Sequence, residues 1–253
     1  MSPTTSPNSM SPTDVPSLQA LVQSFSMIIV SEIGDKTFLI AAILAMRHPR
    51  LTVFLGAFLS MILMSFLSAA LGHLLPTLIP QAWTQWCAAA LFLIFGMRMW
   101  GEASRMQDGN GKLQEEMQEA EEEIEDDERV QPSWAEGVRN FCSLLLGPVL
   151  VQAFVLTFLG EWGDRSQIAT IALGAAHNVY LVTFGTVLGH LCCTALAVIG
   201  GRYISNKISV KHVTYGGSAL FLLFGLIYLN KGFVTSASDN INLMNMAIPV
   251  PVN

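Results

Sequence analysis

Six charged residues stand where a chain this apolar should carry none. The stretch "IIVSEIGDKTFLIAA" sets Glu32, Asp35 and Lys36 within five residues, and "LTFLGEWGDRSQIAT" repeats the spacing with Glu161, Asp164 and Arg165. A charged side chain at the centre of a membrane helix costs roughly 2.5–3.5 kcal/mol. Six of them facing lipid would cost roughly 15–20 kcal/mol, which excludes that placement. They must face the interior of a bundle, pair with one another or line a wet cavity. On a helix, residues three apart share a face, so Glu32 lies with Asp35 and Glu161 with Asp164.

Four converging carboxylates, with the hydroxyls of Thr37 and Ser166 beside them, would make an all-oxygen site. Hard divalent cations suit it: Ca²⁺ takes six to eight oxygens, and Mn²⁺ accepts similar ligands. Neither motif offers a soft Cys or His ligand. Gly34 and Gly163 separate the acids and permit close helix contact or local unwinding that frees backbone carbonyls. Lys36 and Arg165 each follow a glutamate by four residues and can pair within their own helix. With both bases near the site, four negative and two positive charges leave two negative, which one divalent cation or two protons would neutralise. Crowded carboxylates in a low dielectric take up protons readily. Metal and protons then compete for the same groups, the chemistry of an exchanger.

The bland alternative is a pair of buried salt bridges locking two helices together. It accounts for the Glu–Lys and Glu–Arg spacings but leaves Asp35 and Asp164 without partners. Gln23 and Gln152 are expected to hydrogen-bond between helices in support of the site. His190 reads as a satisfied packing residue. His48 and His177 fall at opposite loop mouths, where a proton-access role is the weaker reading.

The elements that position these residues are membrane helices. The chain has 253 residues, of which 52% are hydrophobic and only 13% charged, with a mean hydropathy of +0.49. Soluble domains average about 25% charged residues. A span needs about 20 apolar residues, and six segments qualify: 18–46, 51–72, 81–100, 146–174, 179–201 and 213–231. Pro76 and Pro80 are expected to break the chain before the third. The four cysteines, Cys87, Cys142, Cys192 and Cys193, show no metal-ligand spacing and read as small core residues. Residues 1–17 lack any apolar centre and read as a disordered tail, and 232–253 as a second tail.

Ten basic residues fall on or beside the three connections that six spans would place on one side, and only Lys231 on the other. The positive-inside rule makes the loaded side cytosolic and both termini lumenal or extracellular. Ten of the 19 acids lie between Glu115 and Glu128, in the central segment 101–145. Its apolar residues Leu113, Met117, Ala120 and Ile124 recur at helical steps. This reads as a solvated helix separating two halves, with a low-affinity cation buffer as the sharper alternative.

Shifted by 129 residues, Gln23–Gly96 aligns with Gln152–Gly225 without a gap, at 19 identities in 74 positions. Charged and glycine positions coincide, including Gly56 with Gly185, and "ALFLIFG" meets "ALFLLFG". The chain is a duplication, 18–100 and 146–231. Three spans per half is an odd number, so the second half enters the membrane inverted. The expected fold is an all-α polytopic membrane protein of six transmembrane helices in two inverted three-helix repeats, with the site where the halves meet.

The duplicated Glu-x-Gly-Asp-(Lys/Arg)-(Thr/Ser) pattern, "EIGDKT" and "EWGDRS", resembles the two motifs of the transmembrane protein 165 family of Golgi cation/proton exchangers. The resemblance covers both repeats and the acidic loop. It implies import of Ca²⁺ and Mn²⁺ into the Golgi lumen in exchange for protons. Glu32, Asp35, Glu161 and Asp164 would be the cation-binding carboxylates, with no resident cofactor, no enzymatic activity and no nucleic-acid partner. The lipid bilayer is the surroundings, and an oligomer is compatible with the pattern. Three rival readings stand beside it. A passive divalent-cation channel would need no proton coupling. An intramembrane aspartyl protease would need two differentiated aspartates, whereas both copies here are alike. An amino-acid exporter fits an acidic metal-type cluster less well.

Overall fold

The computed structural model describes residues 14–106, 111–129, 147–207 and 210–247, and among these every regular element is an α-helix. In chain order they are α1 (Asp14–Glu32), α2 (Lys36–Arg47), α3 (Arg50–Leu78), α4 (Gln81–Arg105) and α5 (Gly111–Arg129). The second half follows with α6 (Pro148–Gly160), α7 (Arg165–Ala176), α8 (Val179–Lys207) and α9 (Val210–Ala247). The expected tail up to residue 13 and the segment 130–146 lie outside the described residues.

Among the described residues, three helices are each long and apolar enough to cross a membrane: Arg50–Leu78, Val179–Gly200 and Lys211–Ser238. Leu18–Glu32 and Pro148–Gly160 are apolar but shorter. Large apolar side chains such as Leu55, Leu59, Leu63 and Phe66 on α3, and Phe184 and Ile199 on α8, are exposed. A soluble surface rarely carries so much contiguous apolar area, whereas a lipid-facing one requires it. The chain is an all-α polytopic membrane protein.

Several boundaries differ from the expected ones. Each motif-bearing segment is two helices rather than one. α1 ends at Glu32 and α2 starts at Lys36, while α6 ends at Gly160 and α7 starts at Arg165. Apolar content runs through both breaks and hides them. Pro76 does not stop α3, which continues to Leu78; it lies in the last turns, where only one backbone bond is lost. α9 continues past residue 231 to Ala247, so the segment after 231 begins as helix rather than tail.

The helix boundaries themselves repeat: α2 maps onto α7 and α3 onto α8 under the same shift of 129, residue for residue at both ends. The packing is reciprocal. A Cβ on Gly56 of α3 would strike the carbonyl oxygen of Leu150 on α6 at 2.4 Å, and one on Gly185 of α8 would strike that of Leu21 on α1 at 2.7 Å. Leu21 and Leu150 are themselves equivalent positions. Gly96 meets Leu222, and Gly225 meets Leu93. Along the α4–α9 contact, Trp86 packs on Phe233, Phe92 on Phe224 and Trp100 on Tyr215, so the two helices run antiparallel. Each half therefore lends its long middle helix, α3 or α8, to the other half's broken pair.

The symmetry fails at α5. Helix α4 packs against α7, whereas its counterpart α9 makes little contact with α2, and there α5 packs instead. Ala120 and Ile124 of α5 are fully buried in one core cluster with Phe38–Ala45 of α2, Met117 packing alongside. The acidic helix is docked on the bundle by this face, while most of its acids stay exposed. Among the cysteines described, Cys193 is buried, but Cys87 and Cys192 are exposed, contrary to the core reading.

A candidate cation site at two broken helices

Each break is a tight turn with glycine at its centre. Gly34 has φ +85° and Gly163 φ +83°, values that L side chains rarely adopt, so these two positions need glycine. The amide of Asp35 donates to the carbonyl of Glu32 at 3.1 Å, and that of Asp164 to Glu161 at 3.2 Å, closing each turn. The next half-helix starts at once, with Asp35 and Asp164 as extended N-cap residues. Glutamate thus sits at the C-terminal end of one half-helix and aspartate at the N-terminal end of the next. The helical spacing argument placed each pair on a shared face; across the turn Glu161 and Asp164 converge, while Asp35 stays outside the cluster.

Glu32, Glu161 and Asp164 each offer a carboxylate oxygen, and these atoms all lie within 4.8 Å of one another. That is about the separation of two oxygens across a single Ca²⁺ at roughly 2.4 Å. Both glutamates are 2% exposed. Glu161 accepts from Thr37 across the repeat boundary at 2.6 Å through Oε1, and from Ser166 at 3.2 Å through Oε2. Glu32 Oε1 has no hydrogen-bond partner among the described residues. A buried carboxylate oxygen without a donor is costly unless a cation or proton satisfies it.

Asp35 lies outside this group of three. It accepts from Arg165 at 3.5 Å and leaves the end of α2 uncapped, whereas Asp164 caps α7 by accepting from the Ser166 amide at 3.1 Å. Arg165 also lies 3.9 Å from Asp164 and 3.9 Å from Glu102. The base therefore joins the two motifs rather than pairing with Glu161 on its own helix. Lys36 leaves the site altogether and pairs with Glu123 of the docked α5. The repeat explains this: the position equivalent to Glu102 is Lys231, which offers Lys36 no acid. Gln23 and Gln152 are buried outside the carboxylate group, and Gln23 Oε1 and Gln152 Nε2 lack partners among the described residues, so the expected helix–helix bonds do not form there through these atoms.

Sequence reasoning missed Glu102 and Glu116, which line a cavity of about 40 Å³ with Asp35 and Arg165. Glu102 lies two residues past the expected end of its span, and Glu116 sits on the helix read as solvated. His177, one of the two loop-mouth histidines, accepts from or donates to Tyr228 at 2.9 Å and contacts Lys231 at 3.3 Å. Burial and the neighbouring ammonium push it down to about 4. Held this low, it is a neutral ring at neutral pH, joined to Tyr228 and Lys231.

An apolar helical bundle whose two helix breaks meet at buried carboxylates is the architecture of a secondary transporter. The family model described as "Divalent cation/proton antiporter GDT1" matches twice, over residues 20–107 and 149–236. A GDT1-like protein of Schizosaccharomyces pombe is 41% identical over 251 residues, covering 90% of this chain and 88% of the relative. The divalent cation/proton antiporter GDT1 of Saccharomyces cerevisiae is 38% identical, covering 86% of each chain. GDT1-like protein 3 of Arabidopsis thaliana is 44% identical over 82% of this chain and 69% of its own. No solved structure matches. The chain belongs to the GDT1 family of divalent cation/proton antiporters, the family its motifs resemble; it is a transporter and not an enzyme.

Proposed function

We propose that the protein exchanges Ca²⁺ or Mn²⁺ for protons across the Golgi membrane, with metal and protons competing for one carboxylate cluster. The observation that carries this reading is the convergence of Glu32, Glu161 and Asp164 to within 4.8 Å at two helix breaks. The cage is all oxygen, with Thr37 and Ser166 as neighbouring hydroxyls and no Cys or His among the three clustered acids. Asp35 is the fourth ligand, reached when Arg165 releases it. With Lys36 held by Glu123, four carboxylates face a single base, Arg165, which leaves three negative charges. One divalent cation and one proton neutralise them, so the loaded and protonated states differ by a small number of protons. The loops richest in basic residues lie in the cytosol and the termini in the lumen.

The test is purified protein in liposomes with an imposed pH gradient, following Ca²⁺ and Mn²⁺ uptake. Wild-type uptake should rise with the gradient. Glu161→Gln keeps the hydrogen-bonding shape but removes the charge, and uptake should fall by about tenfold or more. Uptake indifferent to the gradient would point to a passive channel and end the exchange reading.

A further inference from the structure

Two small cavities flank the carboxylates, and they are repeat mates. One is lined by Glu32, Thr37, Phe38, Ala41, Ala57, Met61, Thr157, Cys193, Thr194 and Ala197. The other is lined by Glu161, Ser166, Gln167, Thr170, Thr186, His190, Met64, Ser65 and Ser68. Every residue of the second is a residue of the first displaced by 129, in one direction or the other. Each has a volume of about 10 Å³, room for about one water. They lie on opposite sides of the site: along α3 the first uses Ala57 and Met61, and the second Met64, Ser65 and Ser68.

Their linings differ in polarity at five repeat positions: where the first has Phe38, Ala41, Ala57, Met61 and Ala197, the second has Gln167, Thr170, Thr186, His190 and Ser68. The first keeps Thr37, Thr157 and Thr194 beside Glu32, so both cavities are partly polar and only the second holds an imidazole. A water persists only where it finds two to four polar partners, and the second cavity offers them. His190 is 4% exposed and its Nδ1 has no partner among the described residues, so it is not the satisfied packing residue the sequence suggested. The Thr170 and Thr186 hydroxyls donate to helix carbonyls at 2.8 Å and keep their oxygens free to accept.

We propose that the cavity beside Glu161 is the proton-access path to the carboxylate cluster, its water held by His190, Thr170 and Thr186. The inference rests on the exchange reading above. His190 is a positioning residue: it holds the water, which takes a proton from lumenal water as it gives one to a cluster carboxylate, so one O–H bond forms on the water as another breaks and the water is left neutral. In the proposed orientation this cavity lies in the lumenal half, the side from which protons come.

The test copies one repeat into the other. H190M installs the residue of the mate cavity, and the double variant T170A/T186A installs Ala41 and Ala57, a change small enough to spare folding. H190Q keeps a hydrogen-bonding group that does not titrate. Mn²⁺ affinity of the purified proteins is measured by calorimetry at pH 8, and proton flux by a trapped pH dye in liposomes under a Mn²⁺ gradient. H190M and the double variant should keep the Mn²⁺ affinity to within about twofold while proton-coupled exchange slows by about tenfold or more, and H190Q should recover most of the rate. Wild-type exchange in H190M and in the double variant, an H190Q as slow as H190M, or Mn²⁺ affinity lost along with rate would each overturn the proposal. A wild type that transports without regard to the pH gradient removes the exchange reading and this inference together; exchanging wild type beside unaffected variants removes the inference alone.

Discussion

Gly163 shows how much of the site is set by a single backbone angle. Its φ of +83° places Glu161 and Asp164 on two sides of one turn, and a Cβ there would meet no atom within 4 Å. Any penalty for Gly163→Ala is therefore conformational, about 1–2 kcal/mol. The variant should melt roughly 2–8 °C lower, and Gly34→Ala likewise, by fluorescence-monitored unfolding in detergent. His177 gives a second residue-scale expectation. Its ordinary value is 6.5 and the fold holds it at about 4, so the unfolded chain binds the proton more tightly between these values. Stability must fall as pH drops from about 6.5 toward 4, and His177→Gln should flatten that part of the stability–pH curve. The motif residues were legible because charges inside apolar runs are conspicuous. The partners of Lys36 and Arg165 were not: the sequence gives spacing along a helix, and here the helix is interrupted and the acids that win, Glu123 and Asp35, come from other elements.

At the scale of elements, hydropathy located the apolar segments and missed what interrupts or covers them. A break of three or four residues inside an apolar run leaves little trace in a window of about 20. The docked α5 was hidden for the opposite reason, since its many acids outweigh the few apolar residues that do the docking. Ala120 and Ile124 are fully buried against α2, with the pairs Lys36–Glu123 and Arg47–Glu121 at the edges of the contact. Surface ion pairs contribute little on their own, about 0–1 kcal/mol each, so the apolar contact holds the helix. Ile124→Asp should release α5 and free the Lys36 ammonium, raising its acylation by an amine-reactive reagent, read by mass spectrometry. Glu121→Gln, which removes only the distant pair at 3.9 Å, should leave Lys36 labelling unchanged. Equal labelling in wild type and Ile124→Asp would mean that α5 does not shield this residue.

For the whole molecule, the duplication read from 19 shared positions becomes a reciprocal interface: α3 seats on α6 and α8 on α1 through equivalent glycines. An antiparallel α4–α9 contact relates the halves by a two-fold axis across the helices. Such an interface makes a symmetric demand. A methyl group on Gly56 would sit 2.4 Å from the Leu150 carbonyl oxygen, and one on Gly185 would sit 2.1 Å from Ser24 Oγ and 2.7 Å from the Leu21 carbonyl oxygen. In both cases backbone of the opposite half must retreat, because a carbonyl has no rotamer to escape into. Gly56→Ala and Gly185→Ala should each cost about 1–3 kcal/mol of stability. Since both push the same two halves apart, each should also displace Thr37 from Glu161 and weaken Mn²⁺ binding, although neither glycine touches the carboxylates. Calorimetric titration of the two variants checks this. Unchanged affinity in both would show that the cage is held together within each half and not by the contact between them.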